Sequence, residues 1–576
     1  MKKYQQLMLN FSQASLRSFL GNQIAEMLIE WSPNGGKELT KKELVAMIDC
    51  ICGNSIFKNA QFRKQLLLCM SHDDIISIRD NCLSSNERRE TNLHRIVDII
   101  ANRSWGKNKV SRYLVDLWGL SDDIFDVKRT DDKPVCVISN KGENFYELLD
   151  YQYIIKQRAL FILNSENSQE RLFIHMPTGT GKTKTSMHII VNYIQFTLKK
   201  NGLVLWIAHT NELLQQAYDT FVNVWGHLGD GDCIAYRLWG SNNIKDTDSQ
   251  LNGIVFCGLA KLMSIFEGNP ELTKRLKKDC RLIVFDEAHK AAADKTKTII
   301  ESLMLMPNGY SDRALIGLSA TPGRTTESSY NNNLLSNMFG NKLINIDTDL
   351  LNQINMGKLQ ALNTIAEENI IRYFQERRIL SRIVVEKLTY KTEFSDREIK
   401  ILSQEIENMG FGDGDFSSNQ LKIFAENKHR NKEIMKKLRV LHRDKIPTIV
   451  FACSVTHARM LSAMLTLEEI DNSLVVGDMS PVDRKEAIDR FKDRNSKTNI
   501  IINYEVLTTG FDSKNIRCVF ITRPTKSVVL YSQMLGRGLR GPMMGGNEEC
   551  LLVDIEDNLQ MFDNESAFSH FNDYWR

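Results

Sequence analysis

The chain has 576 residues, of which 42% are hydrophobic and 25% charged, and its 10 prolines and 32 glycines are too few for a disordered or fibrous protein. At roughly 100–200 residues per domain, this length predicts about three to five compact units and excludes a single small module. The 74 lysines and arginines exceed the 71 acidic residues by only 3, so the global charge neither demands nor excludes a nucleic-acid partner.

Cysteine usage and hydropathy bear on the compartment. No segment approaches the ~20 consecutive apolar residues that span a bilayer, and no signal-peptide pattern follows the basic start. The eleven cysteines are scattered singly through apolar surroundings, which is typical of reduced core residues rather than of a disulfide framework. The sequence therefore predicts a cytoplasmic protein with no membrane partner.

The first part of the chain predicts helices. Apolar residues between Phe19 and Leu68 recur at steps of three and four, which is the spacing of one face of an amphipathic helix. Turn-forming residues at 32–36 and 84–86 interrupt this pattern. We therefore predict an all-α N-terminal domain over residues 1–135.

The pattern changes at about Arg171. Short apolar runs alternate from there with amphipathic helical stretches, which indicates β-α-β units with buried parallel strands. A first α/β domain is expected over residues 140–345. Its predicted strands are residues 171–175, 203–207, 254–257, 282–285 and 314–318.

A second set of strands follows after a long interval. Residues 325 to about 445 are mostly helical in pattern and charged, so a helical linker is predicted over residues 346–445. With that linker included, the second α/β domain spans residues 346–576. The fold class is therefore α/β, with two tandem doubly wound parallel-sheet domains after the helical domain. The predicted strands of the second set are residues 448–452, 473–476, 499–503, 518–522 and 551–554.

The strongest local signal is Met-Pro-Thr-Gly-Thr-Gly-Lys-Thr at residues 176–183. A glycine-rich turn between a strand and a helix points backbone N–H groups and the positive helix end at a phosphate. Lys182 would supply charge to the β- and γ-phosphates, and the Thr183 hydroxyl would bind Mg²⁺. Met176 departs from the usual motif, which has glycine there. The predicted nucleotide-binding residues of this turn are Thr178, Gly179, Thr180, Gly181, Lys182 and Thr183.

An acidic pair follows the predicted strand at 282–285. Asp286 and Glu287 emerge at the carboxyl edge of the sheet, where ligands of open α/β sheets bind. There Asp286 would hold Mg²⁺, and Glu287 would orient or deprotonate the attacking water. The alternative for any acidic pair is a solvated loop, but its place after a buried strand, about 100 residues beyond Lys182, favours the catalytic interpretation.

Taken in order, these motifs resemble those of the superfamily 2 helicases and translocases, whose two α/β domains are RecA-like. The resemblance covers about residues 151–554 and implies an ATP-hydrolysing protein with ATP and Mg²⁺ at the site. Motifs I and II are the two stretches already described. The other matching stretches are residues 151–152 (Q motif), 208–213 (Ia), 318–324 (III), 449–454 (IV), 507–512 (V) and 533–540 (VI).

The resemblance also implies roles outside the phosphate-binding turn. Gln152 would read adenine, and Gly510 and Asp512 would lie at the nucleotide, with Asp512 holding ribose hydroxyls. Gln533 would position the water or the γ-phosphate.

Two arginines of motif VI complete the predicted catalytic set. An arginine finger is worth roughly 10³–10⁵ in the rate of phosphoryl transfer, and Arg537 and Arg540 would supply it. Because they belong to the second α/β domain, they would reach a phosphate at Lys182 only when the two domains close. The alternative is an exposed basic helix.

Nucleic acid is expected to cross the carboxyl edges of both sheets. Backbone N–H groups and hydroxyls at strand-to-helix junctions contact phosphates without reading sequence. Each candidate taken singly is more often ordinary loop chemistry. The candidates are His209, Thr210, Gly258, Thr321, Ser454, Thr508 and Thr509.

Motifs V and VI resemble those of RadD-like and restriction-enzyme-like DNA helicases more than those of DEAD-box RNA helicases, and motif II reads DEAH. DNA is therefore the favoured partner, and a motor subunit of a restriction or anti-phage defence system is the expected function. The helical domain carries no recognised motif, and it would either dock a partner protein or stabilise the motor. An RNA helicase, or an ATP-driven sensor or clamp that recruits an effector, remains the alternative.

Overall fold

The structure is a computed structural model that describes most of the chain. It divides into two compact units, the first comprising residues 1–131, 389–392 and 421–507 and the second residues 132–388, 393–420 and 508–576. Within the described part, no helix combines the length and the apolar character needed to cross a bilayer. The described residues are 2–31, 38–120, 124–125, 133–142, 146–165, 170–244, 250–305, 313–321, 329–346, 370–391, 394–398, 400–402, 415–508, 510–511 and 513–555.

The N-terminal part of the first unit is helical, as predicted. Several helices begin with a hydrogen-bonded cap, such as Thr40, whose side chain accepts from the backbone N–H of Glu43 while Glu43 accepts from the N–H of Thr40. The helices are α1 (Lys3–Met8), α2 (Gln13–Leu20), α3 (Asn22–Trp31), α4 (Lys41–Cys52), α5 (Ala60–Leu68), α6 (His72–Cys82), α7 (Leu93–Ala101) and α8 (Lys109–Trp118).

Aromatic rings form the core of this helical domain. Phe57 packs edge-on against Phe62 and stacks on Trp118, with ring centroids 5.7 and 5.6 Å apart, and Trp105 stacks on both Phe57 and Trp118. Phe57, Phe62 and Trp118 are fully buried. Large aromatic surfaces of this kind contribute strongly to a core, so the helical domain has a core of its own.

The first sheet lies in the second unit, and all five strands predicted for it form. Its order is β1-β4-β5-β3-β6-β7-β2-β8, and every pair is parallel except β1 with β4. The strands are β1 (Val135–Ile138), β2 (Arg171–His175), β3 (Leu203–Ala208), β4 (Cys233–Leu238), β5 (Gly253–Gly258), β6 (Cys280–Asp286), β7 (Ala314–Ser319) and β8 (Leu343–Ile344).

Helices follow the strands of this sheet in the alternating pattern of β-α-β units. Leu205, Val255 and Ile283 are fully buried in the hydrophobic core between sheet and helices, which explains why these strands read as uninterrupted apolar runs. The helices are α9 (Asp150–Leu163), α10 (Lys182–Asn192), α11 (Asn211–Leu228), α12 (Leu259–Gly268), α13 (Pro270–Asp279), α14 (Asp294–Met304) and α15 (Ser329–Met338).

The interval predicted to be mostly helical contains strands as well. After α16 (Ile370–Glu376), residues Arg382–Leu388 form β9, and β8 lies at its beginning. The helical prediction is therefore wrong at these two strands. No residue of β9 is fully buried, because it is an edge strand of its group, so its sequence lacks the continuous apolar run by which the central strands were recognised.

The second set of predicted strands also forms. The first unit holds three parallel strands in the order β11-β12-β10, and the second unit holds three in the order β13-β14-β9. The predicted fold class, two doubly wound parallel-sheet domains after a helical domain, is confirmed. The remaining elements are α17 (Ser418–Glu426), α18 (Lys428–Arg443), β10 (Thr448–Phe451), α19 (Val455–Leu467), β11 (Ser473–Val475), α20 (Pro481–Lys492), β12 (Ile500–Asn503), β13 (Cys518–Ile521), α21 (Val528–Leu535) and β14 (Glu549–Ile555).

Candidate functional site

The glycine-rich turn connects β2 to α10 as its spacing predicts. Lys182 is the first residue of α10, and Gly181 precedes it with φ +84°, a conformation that favours glycine. A Cβ at Gly181 would collide with Gln152 Nε2. The Thr180 hydroxyl donates to the Pro177 carbonyl at 2.7 Å. The turn therefore presents the N-terminus of a helix, which is a ready anion-binding site.

Lys182 contacts both predicted carboxylates. Its Nζ lies 3.5 Å from Asp286 Oδ1 and 3.5 Å from Glu287 Oε1, and its side chain is only 13% exposed. Burial opposes the charge of this amine, but the two carboxylates outweigh it and raise the pKa of Lys182. The amine is therefore held as a cation at the phosphate-binding turn.

The two carboxylates titrate in opposite directions. Burial raises the pKa of Asp286. Burial also acts against the charge of Glu287, but positive charges, chiefly that of Lys182 and also that of Arg537, lower the pKa of Glu287 to about 2. Glu287 is therefore ionised at neutral pH.

Glu287 has two unusual features. Its backbone is left-handed, with φ +55°, which is uncommon for a residue other than glycine and is concentrated at functional sites. Its Oε2 is buried without a hydrogen-bond partner among the described residues, and His289 Nδ1 approaches it at 3.4 Å while lying 3.1 Å from Ser319 Oγ. Burial lowers the pKa of His289 to about 3, so this ring is neutral and does not neutralise Glu287.

These residues fit a hydrated Mg²⁺ ion. Mg²⁺ binds hard oxygen donors. The site offers three: the buried carboxylate of Asp286, the Glu287 Oε2 atom that has no hydrogen-bond partner among the described residues, and the Thr183 hydroxyl at the start of α10. Asp286 and Thr183 would hold the metal.

Arg537 lies in the same unit as Lys182. A Cβ at Gly536 would be only 2.5 Å from Thr178 Cβ, so the motif VI segment packs directly on the phosphate-binding turn. Arg537 donates from Nη1 to the Phe511 carbonyl at 2.7 Å, and its charge helps to lower the pKa of Glu287. The structure thus brings together Lys182, Glu287 and Arg537, which are far apart in sequence.

For the other two predicted catalytic residues, Gln533 and Arg540, the structure gives local contacts. Gln533 is buried one turn before Arg537, and its Nε2 has no hydrogen-bond partner within the described ranges. Arg540 pairs with Leu380 in an isolated β-bridge, and its carbonyl accepts from the Ser381 hydroxyl at 2.6 Å. Their catalytic roles stay predictions.

Gln152 contacts the phosphate-binding turn. Its Oε1 accepts from the N–H of Leu149 at 3.0 Å, and its Nε2 donates to the Thr180 carbonyl at 2.9 Å. The Tyr151 hydroxyl donates to the same carbonyl at 2.6 Å. The start of α9 therefore fixes the turn. Sequence reasoning did not assign this role to Tyr151, although it stands beside Gln152 in the motif.

Gly510 lies against the start of α11, and its predicted role at the nucleotide stays a prediction. A Cβ there would lie 3.1 Å from Leu213 Cγ and 3.3 Å from Glu212 Cβ. Motif V thus contacts the segment that follows Thr210. Asp512 and Thr509 lie outside the described residues.

Three predicted nucleic-acid contacts gather at one edge of the first sheet. Ala208 of β3 is paired with Gly258 of β5, so His209, Thr210 and Gly258 lie together at the carboxyl ends of neighbouring strands. Thr210 caps α11 by accepting from the N–H of Leu213. Burial lowers the pKa of His209 to about 4.

Burial and local hydrogen bonding describe the other candidates. Thr321 and Thr508 are buried, with 1% and 5% of their surfaces exposed. Ser454 caps α19 in the first unit. Their roles as nucleic-acid contacts stay predictions.

The fold and the site define a P-loop protein with two RecA-like domains, and comparison with known proteins agrees. Residues 145–324 match the family model for the type III restriction enzyme res subunit, and residues 430–541 match the helicase conserved C-terminal domain. These matches bear out the resemblance to superfamily 2 helicases of the restriction-enzyme-like branch.

Individual relatives are distant. IRC3 of Saccharomyces cerevisiae, which carries the name ATP-dependent helicase, is 23% identical over 397 residues, covering 67% of this chain and 48% of that protein. The type I restriction enzyme EcoAI endonuclease subunit of Escherichia coli is 24% identical over 438 residues, covering 74% and 48%. The structure of Saccharomyces cerevisiae Dbp5 bound to RNA and ADP BeF3 matches with a TM-score of 0.44 at 15% identity, covering 73% and 87%. The chain thus spans about half the length of the two curated relatives, 48% of each.

Proposed function

We propose that this protein is an ATP-dependent DNA translocase or helicase that hydrolyses ATP with Mg²⁺. The observation that carries the proposal is the cluster of Lys182, Asp286 and Glu287, with Arg537 from the second RecA-like domain beside it. A lysine, two carboxylates and an arginine are the groups that phosphoryl transfer to water requires.

Each residue of the cluster has a distinct task. Lys182 binds the β- and γ-phosphates, and Glu287 orients and deprotonates the attacking water. Arg537 stabilises the charge that develops on the transferred phosphoryl group. Mg²⁺, held by Asp286 and Thr183, would neutralise charge on the phosphate oxygens.

The ion pair between Lys182 and Glu287 couples binding to chemistry. The charge of Lys182 is the largest favourable influence that keeps the pKa of Glu287 low. When Lys182 turns to a phosphate, Glu287 loses part of this stabilisation and its proton affinity rises, which makes it a stronger base. The same lysine thus prepares the general base as substrate binds.

DNA is the proposed polymer, and a restriction or anti-phage defence system is the proposed setting. Support comes from the restriction-enzyme family model over residues 145–324 and from the resemblance to the EcoAI subunit. His209, Thr210 and Gly258, at one edge of the first sheet, are the proposed phosphate contacts. The N-terminal helical domain is the proposed docking site for a protein partner.

The test is ATP turnover measured with single-stranded DNA, duplex DNA and RNA at one fixed salt concentration, because nucleic-acid affinity depends steeply on salt. We expect DNA to stimulate turnover more than RNA does. Stronger stimulation by RNA would indicate an RNA helicase. Stimulation by DNA without displacement of a triplex-forming strand would indicate a clamp or sensor that does not translocate.

A further inference from the structure

A short segment that begins in the second half of α16 and continues past its end contacts the start of α9. Residues 373–381, here called the brace, include Arg377, whose Nη1 and Nη2 donate to the two carboxylate oxygens of Asp150 at 3.0 and 2.7 Å. Asp150 is the first residue of α9, the helix that fixes the phosphate-binding turn through Tyr151 and Gln152. Phe374 of the brace packs edge-on against Tyr151, with ring centroids 5.1 Å apart.

The brace also touches the phosphate-binding turn itself. A Cβ built on Gly179 would lie 3.2 Å from Leu380 Cδ2 and 3.6 Å from the carbonyl oxygen of Leu539. Leu380 is almost fully buried, with 1% of its surface exposed. The turn is therefore in contact with both the brace and the motif VI segment.

The end of the brace is hydrogen-bonded to motif VI. The N–H of Ser381 donates to the Leu539 carbonyl at 3.0 Å, its hydroxyl donates to the Arg540 carbonyl, and the N–H of Gly541 donates to the Ile379 carbonyl at 2.9 Å. Leu539 lies two residues after Arg537. These bonds fix the backbone that carries the arginine.

We propose that the brace is a positioning element of the ATP site, in which Arg377 and Leu380 tie the segment carrying Arg537 to the phosphate-binding turn. This inference rests on the proposed function. Arg377 and Asp150 are partly exposed, at 24% and 41%, and such ion pairs contribute little to stability. The two parallel hydrogen bonds fix the orientation of the two side chains relative to each other. The role of this pair is therefore to hold α9 and the motif VI segment in a fixed relative position.

The test is steady-state ATP turnover of full-length variants. In Arg377→Ala we expect kcat to fall by about 10- to 100-fold, because a displacement of about 1 Å in a positioned catalytic group has an effect of that size. We expect KM for ATP to stay the same, because Arg537 acts in the transition state. Arg377→Lys, which keeps the charge but not the paired hydrogen bonds, should lie between wild type and Arg377→Ala.

A double-mutant cycle tests whether the brace acts through Arg537. Combining Arg377→Ala with Arg537→Lys should reduce kcat little beyond Arg537→Lys alone, because the positioned group is already impaired. If the two effects multiply, or if Arg377→Ala raises KM and leaves kcat unchanged, the positioning role is refuted. The charge-swapped pair Asp150→Arg with Arg377→Asp should recover part of the kcat lost in Arg377→Asp alone.

Two controls separate this proposal from the proposed function. Arg382→Ala removes an equally long side chain of β9 from an exposed ion pair with Glu549 of β14, and its kcat should equal that of wild type. Lys182→Ala sets the background rate. Wild-type turnover no faster than this background would overturn both proposals, whereas turnover that depends on Lys182 but not on Arg377 would overturn the brace alone.

Discussion

Two regions of the molecule differ in the polar groups that they bury. The contact between α4 and α19 in the first unit consists of neutral groups, whereas the cluster at Lys182 in the second unit consists of charged ones. In the first unit, Cys50 Sγ lies 3.2 Å from Ser462 Oγ and accepts from the Thr466 hydroxyl at 3.3 Å, and Asn472 accepts from the Ser462 hydroxyl. These groups are neutral and hydrogen-bonded. In the second unit, Glu287 Oε2 is buried without a hydrogen-bond partner within the described ranges.

The two regions differ in whether their buried polar groups are paired. A buried polar network whose groups are paired holds one arrangement, and it costs little once formed. A buried polar group without a partner costs free energy in the resting protein, and perturbed groups of this kind concentrate where a ligand completes the site. The contact in the first unit therefore joins the helical domain to α19, whereas the cluster in the second unit has a buried carboxylate oxygen that is available to a ligand.

The largest expected effect comes from Arg537. Replacing it with Ala should lower kcat for ATP hydrolysis by roughly 10³–10⁵, the value of an arginine finger, because no other group then stabilises the developing charge as well. ATP affinity, measured by equilibrium binding, should change little. The exposed Arg517 in the same unit is a matched control, and Arg517→Ala should turn over like wild type. A comparable loss of kcat in both variants would show that the rate depends on the total positive charge and not on the position of Arg537.

Acid should weaken the second unit first. Burial lowers the pKa of His175 to about 4 and of His289 to about 3, and burial with neighbouring lysines lowers the pKa of His188 to about 3. In the first unit, among the described residues, burial lowers the pKa of His457 to about 3. A histidine kept neutral by the fold gives its full stabilisation above the unfolded pKa of about 6.5, and this is lost as pH falls towards the folded value.

Each such histidine should lower the free energy of unfolding by about 1.4 kcal/mol per pH unit below about pH 6.5. Hydrogen exchange measured from about pH 7 to about pH 5, corrected for intrinsic rates, should therefore show the second unit losing protection before the first. Equal loss in both units, or earlier loss in the first, would contradict this assignment of neutral histidines.

The smallest effect is expected in the first unit. Asn54 donates from Nδ2 to Asp483 Oδ1 at 2.7 Å, next to the contact between α4 and α19. Asn54→Ala should lower the free energy of unfolding of this unit by about 1 kcal/mol, the net worth of one hydrogen bond, and should leave ATP turnover unchanged. Asn81→Ala is the matched control, because Asn81 is exposed and bonds only within α6. If Asn54→Ala lowered ATP turnover and Asn81→Ala did not, the contact at Asn54 would have a role in turnover as well as in stability.

Much of this fold could be predicted from the sequence because central parallel strands are buried on both faces. Leu203–Ala208 and Cys280–Asp286 read as apolar runs for that reason. The strands β1 and β9 were missed because they expose apolar residues such as Val137 and Val384, and a partly exposed strand has no such run. Periodicity reports burial, so it identifies edge strands poorly.

In the candidate site, too, some features could be predicted from the sequence and others could not. Lys182, Asp286 and Glu287 could be found because each lies in a local motif next to a strand. The pairing of Asp150 with Arg377, 227 residues apart, has no local signal, since an ordinary surface arginine looks the same in sequence. The contact of Gly510 with Leu213 likewise joins residues far apart in sequence and has no local signal.

ATP hydrolysis by Glu287→Gln, measured beside equilibrium ATP binding on the same preparation, tests the central assignment most directly. Gln keeps the shape of this side chain but lacks the carboxylate that accepts the proton of water, so turnover should fall by about 10²–10⁴ while ATP remains bound. Turnover at the wild-type rate would contradict the account, because the general base would then lie elsewhere.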